Sequence, residues 1–381
     1  MLKRSIKGKL RLYIHPEKVI LVSLVNPYLK PKLRSRFMEL ESLAKTAGCE
    51  VIGKIYQIRE APDPKFYIGK GKIYEIKKLI EENGIDAIIF DTSLSGKYHR
   101  NLEEELGVKI IDRVELIMDI FAQHARTKEA KIQVELAQLK YRLTQLKGKG
   151  KELSRLGGGI GTRGPGEKKL EVDRRRIIER IRVLNKELEK IEIMRRERSK
   201  RRRNLIQITL VGYTNAGKSS LMNILTNSQV EVKDALFSTL DTTTRRMKTQ
   251  FDLPVILTDT VGFIEDLPAE LLASFHSTLS CVKEADILIE VVDVSEENFL
   301  EKMQIVEETL VSLDAINIPR IFAFNKIDLV LDKNYIKMVS KRFEDSFLIS
   351  CKTQEGIEEL KNFLIQKIHE LLKFKFFSFK I

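Results

Sequence analysis

The segment LIQITLVGYTNAGKSS, residues 205–220, reads as an apolar strand, a turn and the start of a helix. Within it Gly212, Gly217, Lys218 and Ser219 complete a GxxxxGK[ST] pattern, and strand, turn and helix are the setting in which that pattern carries chemistry. The glycines let backbone N–H groups along Gly212, Tyr213, Thr214, Asn215, Ala216 and Gly217 wrap a chain of phosphates. Lys218 then neutralises the β and γ oxygens, and the Ser219 hydroxyl is placed to ligate magnesium. Alone, the pattern fits ATPases, kinases and GTPases alike.

Two further elements narrow the choice. VILTDTVG ends an apolar strand with Asp259, a carboxylate suited to holding magnesium through water, and with Gly262, whose N–H can sense a γ-phosphate. IFAFNKIDLV places Asn325, Lys326, Ile327 and Asp328 as an NKxD element at the end of another strand. A carboxylate there accepts from guanine N1–H and its 2-amino group; adenine offers neither donor and would strand a buried polar group. The aliphatic stem of Lys326 is expected over the base plane, with Ser350, Cys351 and Lys352 on the loop that closes over it. Between these elements LFSTLDTTTRRM supplies a hydroxyl that can complete magnesium coordination while a γ-phosphate is present; Thr239 is the assignment, with Thr242, Thr243 and Thr244 competing. After Gly262 comes Phe263, where a Ras-like enzyme places a water-orienting glutamine, so slow intrinsic turnover is expected. Asn215 is a candidate ligand for a potassium ion that supplies positive charge at the transition state, the alternative being a plain turn residue.

The elements that must position these residues follow from periodicity. From Val19 to Ile111 short β-branched runs alternate with helix-like stretches, the pattern of a small parallel α/β domain over residues 1–112. Gly69-Lys70-Gly71-Lys72 at a helix start is either a phosphate contact or a simple turn. From Val114, Ile117, Phe121, Ala125, Ile132, Leu136, Leu139, Leu143 and Leu146 mark one helical stripe; Leu170, Ile177, Ile181, Leu184, Leu188 and Ile191 mark a second. The glycines and Pro165 of GGGIGTRGPGEKK, residues 157–169, interrupt helix, so residues 113–203 are predicted to form a long antiparallel hairpin with that segment as its tip loop. A P-loop domain is expected over 204–372 and a short tail over 373–381, where FKFFSFK reads as a last strand, a docking segment or a membrane-surface patch. The fold class is thus α/β: an amino-terminal α/β domain, the hairpin, and a P-loop GTPase domain.

Among 381 residues, 67 are Lys or Arg and 54 are Asp or Glu, a formal net charge of +13 that favours polyanion partners. The hairpin concentrates this charge in RRERSKRRR, 195–203, and in its tip, so Gly158, Arg163, Lys168, Lys169, Arg201 and Arg202 are candidate RNA contacts. Three cysteines, Cys49, Cys281 and Cys351, lie far apart without CxxC spacing, which argues against a disulfide framework or a zinc site and fits a reducing cytoplasm. No apolar run long enough for a membrane span occurs. The chain is expected to act as a cytoplasmic monomer.

With these residues in view the chain resembles the HflX family of GTPases, in the translation-associated group with Era, Obg and TrmE. The resemblance spans nearly the whole chain: GKGK at 69–72, DRVELIMDIFAQHARTKEAKIQVELAQLKYRL at 112–143, GGGIGTRGPGEKKLEVDRRRI at 157–177, then GYTNAGKSSLMN, FSTLDTTTRR and DTVGFI. The resemblance implies Ser219 and Thr239 as magnesium ligands. It implies nucleotide contacts from Phe237, Ser238, Thr239, Leu240 and Asp241, and from Asp259, Thr260, Val261 and Gly262. It also implies Phe263 as an apolar replacement for the glutamine, and GTP-dependent binding to the large ribosomal subunit with splitting of stalled or idle ribosomes. The chain departs from the family pattern at Thr242, where Pro is expected, and at Lys168, where Thr is favoured. Members of a different class, RNA-binding assembly scaffolds that sense GTP with little turnover, are the competing expectation. A TrmE-like modification enzyme would need a carboxy-terminal cysteine motif, and an Era-like protein a KH domain after the GTPase unit.

Overall fold

The structure, a computed structural model, describes residues 16–156, 165–202, 205–226, 236–237, 242–247, 255–266, 271 and 276–378. The chain divides into two compact units, one of residues up to 94 with 98–113, the other of residues 95–97 with those from 114 onward.

The first unit is a parallel sheet wound with helices. Strands β1 (Lys18–Val25), β2 (Glu50–Ile58), β3 (Ala87–Phe90) and β4 (Lys109–Asp112) lie in the order β2-β1-β3-β4, all pairs parallel. Helices α1 (Leu33–Thr46), α2 (Lys70–Asn83) and α3 (Gly96–Leu106) make the crossovers. Every residue of β3 is buried, which is why AIIF carries no polar alternation. Ile20, Val22, Ile55, Ile68, Ile76, Ile88, Phe90 and Leu102 fill the core. The GKGK turn is held internally: Gly69 N–H donates to Gln57 Oε1 at 2.8 Å, and Lys72 pairs with Glu75 at 2.6 Å.

In the second unit the first helical stripe is broken in two, α4 (Arg113–His124) and α5 (Lys128–Leu156), rather than continuous. The break is a helix start: Thr127 Oγ1 accepts from Ala130 N–H at 3.1 Å and caps α5. The partner helix α6 (Pro165–Arg202) begins within the segment assigned to the tip loop. Proline favours the first helical turn, where its missing N–H costs nothing. Lys168 and Lys169 therefore sit in a helix rather than on a loop, and Arg201 and Arg202 end the same helix; Gly158 and Arg163 fall outside the described residues. Ile132, Leu136 and Leu184 form the buried seam of the hairpin with Leu139, Ile181, Leu188 and Ile191 against them. Arg180 grips Glu135 across it with two bonds of 2.7 and 2.9 Å.

The rest of this unit is a mixed sheet. Strands β5 (Ile206–Val211), β6 (Thr243–Arg246), β7 (Val255–Asp259), β8 (Ile287–Asp293), β9 (Arg320–Asn325) and β10 (Ser346–Leu348) take the order β10-β9-β8-β5-β7-β6. Only the edge strand β6 runs antiparallel among them, to β7. The described helices are α7 (Lys218–Thr226), α8 (His276–Lys283), α9 (Phe299–Ser312), α10 (Lys333–Ser340) and α11 (Ile357–Ser378). α11 lays Ile357, Leu360, Leu364 and Ile368 at helical spacing into the core of β5, β7, β8 and β9. Its backbone stays helical through Ser378, so the basic-aromatic segment continues a helix instead of forming a last strand, with no Gly or Pro before Ser378 to stop it.

Candidate functional site

The central strand β5, paired with β7 on one side and β8 on the other, delivers its carboxyl end to the phosphate loop. Ligands of open α/β sheets bind at such ends, where flanking connections leave to opposite faces. Gly212 takes φ +144° there, and a Cβ on it would lie 2.3 Å from the carbonyl oxygen of Val291, so no other residue fits. Lys218 is buried and its ammonium donates to the carbonyls of Gly212 at 3.1 Å and Tyr213 at 2.7 Å. Burial pulls its pKa down to about 8, and the carboxylate of Asp259 opposes that fall.

Ser219, at the start of α7, donates its hydroxyl to Asp259 Oδ2 at 2.6 Å. Asp259 is fully buried at the end of β7. A hydroxyl and a desolvated carboxylate form a hard oxygen donor set, the kind that suits magnesium rather than a softer metal. The next residues are zipped onto the phosphate loop: Thr214 N–H donates to Phe263 O at 2.9 Å, and Phe263 N–H to Gly212 O at 3.1 Å. Tyr213 adds a third tie, its phenol oxygen accepting from Glu265 N–H at 2.9 Å. Thr260 turns its hydroxyl back to Leu210 O at 2.7 Å, and Val261 and Phe263 are buried.

A second cluster forms where β9 ends. Asn325 donates through Nδ2 to Ala216 O at 2.8 Å and accepts at Oδ1 from Cys351 N–H at 3.0 Å. One buried amide thus holds the phosphate loop, its own NKxD turn and the Ser350–Lys352 loop in register. Asp328 Oδ1 accepts from Ser350 Oγ at 2.6 Å, leaving its second oxygen for other donors. Lys326, at φ +67°, pairs with Asp293 Oδ2 at 2.6 Å, which fixes its stem beside that carboxylate. Ile327 is buried beneath the turn. The Cys351 thiol is pushed up to about 12, first by burial and then by Asp328, with Lys326 opposing.

Of the threonine-rich segment, Ser238, Thr239, Leu240 and Asp241 lie outside the described residues. Leu236 and Phe237 are buried, Phe237 at φ +56°. Thr243 and Thr244 pair with Asp259 and Thr258 in β6, and the Thr244 hydroxyl lies 3.1 Å from that of Thr258. Both are held in the sheet by this pairing.

Three features around the site were not legible in the motifs. Asp293, which steadies Lys326, was signalled only by a carboxylate ending the run ILIEVVD. Tyr213 sits inside the motif, yet its reach to Glu265 depends on the fold. Glu290, in the middle of β8, is a buried carboxyl; burial raises it to about 7 against the attraction of Arg320 3.4 Å away, a guanidinium that it shares with Glu307. It lines a small cavity with Tyr213, Thr214 and Lys302, into which the ammonium of Lys302 stands 4.5 Å from the Tyr213 ring.

Comparison with known proteins agrees with this geometry along the chain. Residues 34–122 match a family described as GTP-binding GTPase N-terminal, 124–202 one described as GTP-binding GTPase Middle Region, and 207–326 one described as 50S ribosome-binding GTPase. The GTPase HflX of Caldanaerobacter subterraneus is 48% identical over 346 residues, spanning 90% of this chain and 79% of the relative. That of Escherichia coli is 39% identical over 355 residues, 92% of this chain and 83% of its own. The crystal structure of SsGBP with GDP superposes at TM-score 0.54 with 29% identity, over 93% of this chain and 99% of the other. A GTP-binding protein from the archaeon Sulfolobus solfataricus in complex with GDP gives 0.50 and 27% over the same shares. Three matched regions between residues 34 and 326, and relatives 39–48% identical over most of the chain, place this protein in the HflX family of GTPases.

Proposed function

We propose that this GTPase is a switch of the large ribosomal subunit, binding it in the GTP form, separating the subunits of stalled or idle ribosomes, and leaving after hydrolysis. The observation that carries the nucleotide part is the Asn325 amide, which locks the phosphate loop and the base-closing loop into one frame with Asp328 beside them. The ribosomal part rests on the family description matched by residues 207–326 and on the basic end of the hairpin.

In this reading the free carboxylate oxygen of Asp328 accepts from the guanine edge, and Lys326, steadied by Asp293, covers the base. Backbone N–H groups from Gly212 to Ser219 and the Lys218 ammonium hold the phosphates and stabilise the charge that spreads over the γ-phosphoryl as water attacks in line and GDP leaves. Ser219, with Asp259 behind it, would hold magnesium together with the Thr239 hydroxyl; when bound, the ion neutralises the β and γ oxygens. Gly262 N–H senses the γ-phosphate, and the neighbouring Phe263, bridged to the phosphate loop through its backbone N–H and carbonyl, passes that contact to the following segment. Phe263 offers no polar group to orient water, so turnover depends on a partner and on Asn215, exposed at the loop's rim with φ +61°, whose amide oxygen would hold potassium.

The test is GTP hydrolysis in potassium buffer with and without isolated large subunits, with Lys218→Ala as the blank. Strong stimulation by the subunit is expected; intact GTP binding without stimulation overturns the ribosomal reading. A ribosome profile left unchanged by protein plus GTP analogue would overturn splitting. The apolar Phe263 also favours a second reading, a GTP-sensing scaffold of ribosome assembly with little turnover; it predicts binding to precursor subunits and no separation of intact ribosomes.

A further inference from the structure

Phe237, at the head of the threonine-rich segment, packs against a ring from outside the matched GTPase region. Phe237 is 2% exposed, and its ring meets that of Phe121 on α4 edge-on, with centroids 4.5 Å apart at 64°. Phe121 is itself 1% exposed and belongs to the matched region 34–122, far in sequence from the GTPase match at 207–326. Around Phe121, α4 buries Ile117 and Ile120, so the ring is set in a rigid helix face rather than on a loop.

Phe237 also sits at φ +56°, a left-handed conformation that an aromatic residue with a Cβ rarely adopts. Such a backbone persists only where surrounding packing over-determines it. The packing that does so includes a ring from α4. Thr239 follows two residues later, and two residues of chain span at most ~7 Å. A nucleotide-dependent change in the chain just after Phe237 that moves the Phe237 ring therefore disturbs its contact with Phe121 and reaches α4.

We propose that Phe121 is a positioning residue for the GTPase reaction: through Phe237 it couples the nucleotide state of the Thr239 segment to α4, and so to the base of the helical hairpin. The proposal rests on the GTP-switch reading above. Aromatic edge contacts are the suitable device, because their strength depends on ring angle and distance and is forfeited by a small shift. α5 follows α4 directly after residues 125–127, so a tilt of α4 is delivered to the long hairpin without an intervening flexible stretch.

The experiment is hydrogen exchange of residues 114–124 in the full chain with GDP and with a non-hydrolysable GTP analogue, in the native protein and in Phe121→Leu and Phe121→Tyr. Nucleotide affinities are measured in parallel with a fluorescent analogue. Native protein is expected to show at least a threefold difference in exchange rate between the two nucleotides in α4. Phe121→Leu reduces that difference by more than half while GDP affinity stays within twofold, and Phe121→Tyr restores it. Equal exchange with both nucleotides in native protein that binds both, or an undiminished difference in Phe121→Leu, overturns the coupling. Failure of native protein to bind either nucleotide overturns the GTP reading instead. The chain contains no tryptophan, so Phe121→Trp gives a second readout: its emission should differ between the two nucleotides, and identical spectra at saturation count against the coupling even if Phe121→Leu does not fold.

Discussion

Replacing Gly262 with alanine tests the closeness of the phosphate loop to the segment after Asp259. A Cβ there would stand 2.7 Å from Thr214 Cα, 2.8 Å from Thr214 Cγ2 and 3.0 Å from Lys218 Nζ. Carbon atoms pack comfortably at about 3.5–4.0 Å, so the two segments must part by roughly 1 Å. Two backbone bonds bracket the contact, Thr214 N–H to Phe263 O and Phe263 N–H to Gly212 O, and neither survives such a displacement at full strength. Overpacking of this kind costs about 1–3 kcal/mol, and weakening a bracketing bond about 0.5–1.5 kcal/mol more. The expected loss is thus about 1.5–4.5 kcal/mol of stability in the second unit, read from urea unfolding. Because Lys218 and Gly262 are both disturbed, the single-turnover rate of GTP hydrolysis should fall at least tenfold, whereas GDP, which lacks the γ-phosphate, should lose less affinity than the GTP analogue. A variant with native stability and native turnover would refute the reasoning, since the contact would then have relaxed at no cost.

Asp328→Asn should weaken GTP by roughly 100-fold, because a charge-assisted bond to the base is worth about 1.5–3 kcal/mol and its loss leaves guanine donors unpaired; competition titration against ATP checks it, and unchanged guanine preference would count against the role of Asp328. Glu290 is raised from its ordinary 4.5 to about 7, so the folded form holds the proton more tightly: its favourable contribution is complete below pH 4.5 and lost as pH rises through 7. Glu290→Gln should therefore gain about 1–3 kcal/mol over the native protein at pH 8 and nothing at pH 4.5, and parallel stability curves across that window would refute it. The Cys351 thiol, pushed up to about 12, should resist alkylation at pH 8 in the folded protein and react on unfolding, whereas rapid modification would show the base-closing loop to be open. GTP hydrolysis should be faster in potassium than in sodium, with Asn215→Ala abolishing the difference; equal rates in the native protein remove the potassium site.

The chemistry of the nucleotide site was legible because each of its parts is local. A glycine needed for a tight turn, a lysine at the start of a helix and a carboxylate ending an apolar strand are all specified within about ten residues, and Gly212, Lys218, Asp259 and Asp328 could be named from those strings. Periodicity likewise announced the parallel sheet of the first unit and the two stripes of the hairpin. It overran the break at Ala125–Thr127, because Ala125 keeps the helical spacing of apolar residues while the stop depends on a single cap. It also overextended the tip loop through residue 169, because Pro165 reads equally as a breaker and as a helix start.

What the tertiary structure alone decided are the pairings between segments distant in sequence. Asn325 reaching Ala216 and Cys351, Lys326 reaching Asp293, and Phe121 meeting Phe237 join residues that no local pattern relates. The same holds for Glu290, whose proton affinity comes from being walled off from water by strands on both sides. Local strings specify backbone geometry and reactive groups through short-range sterics and hydrogen bonding. Which of those groups touch, and at what desolvation, is set by strand order, and strand order is a property of the whole chain.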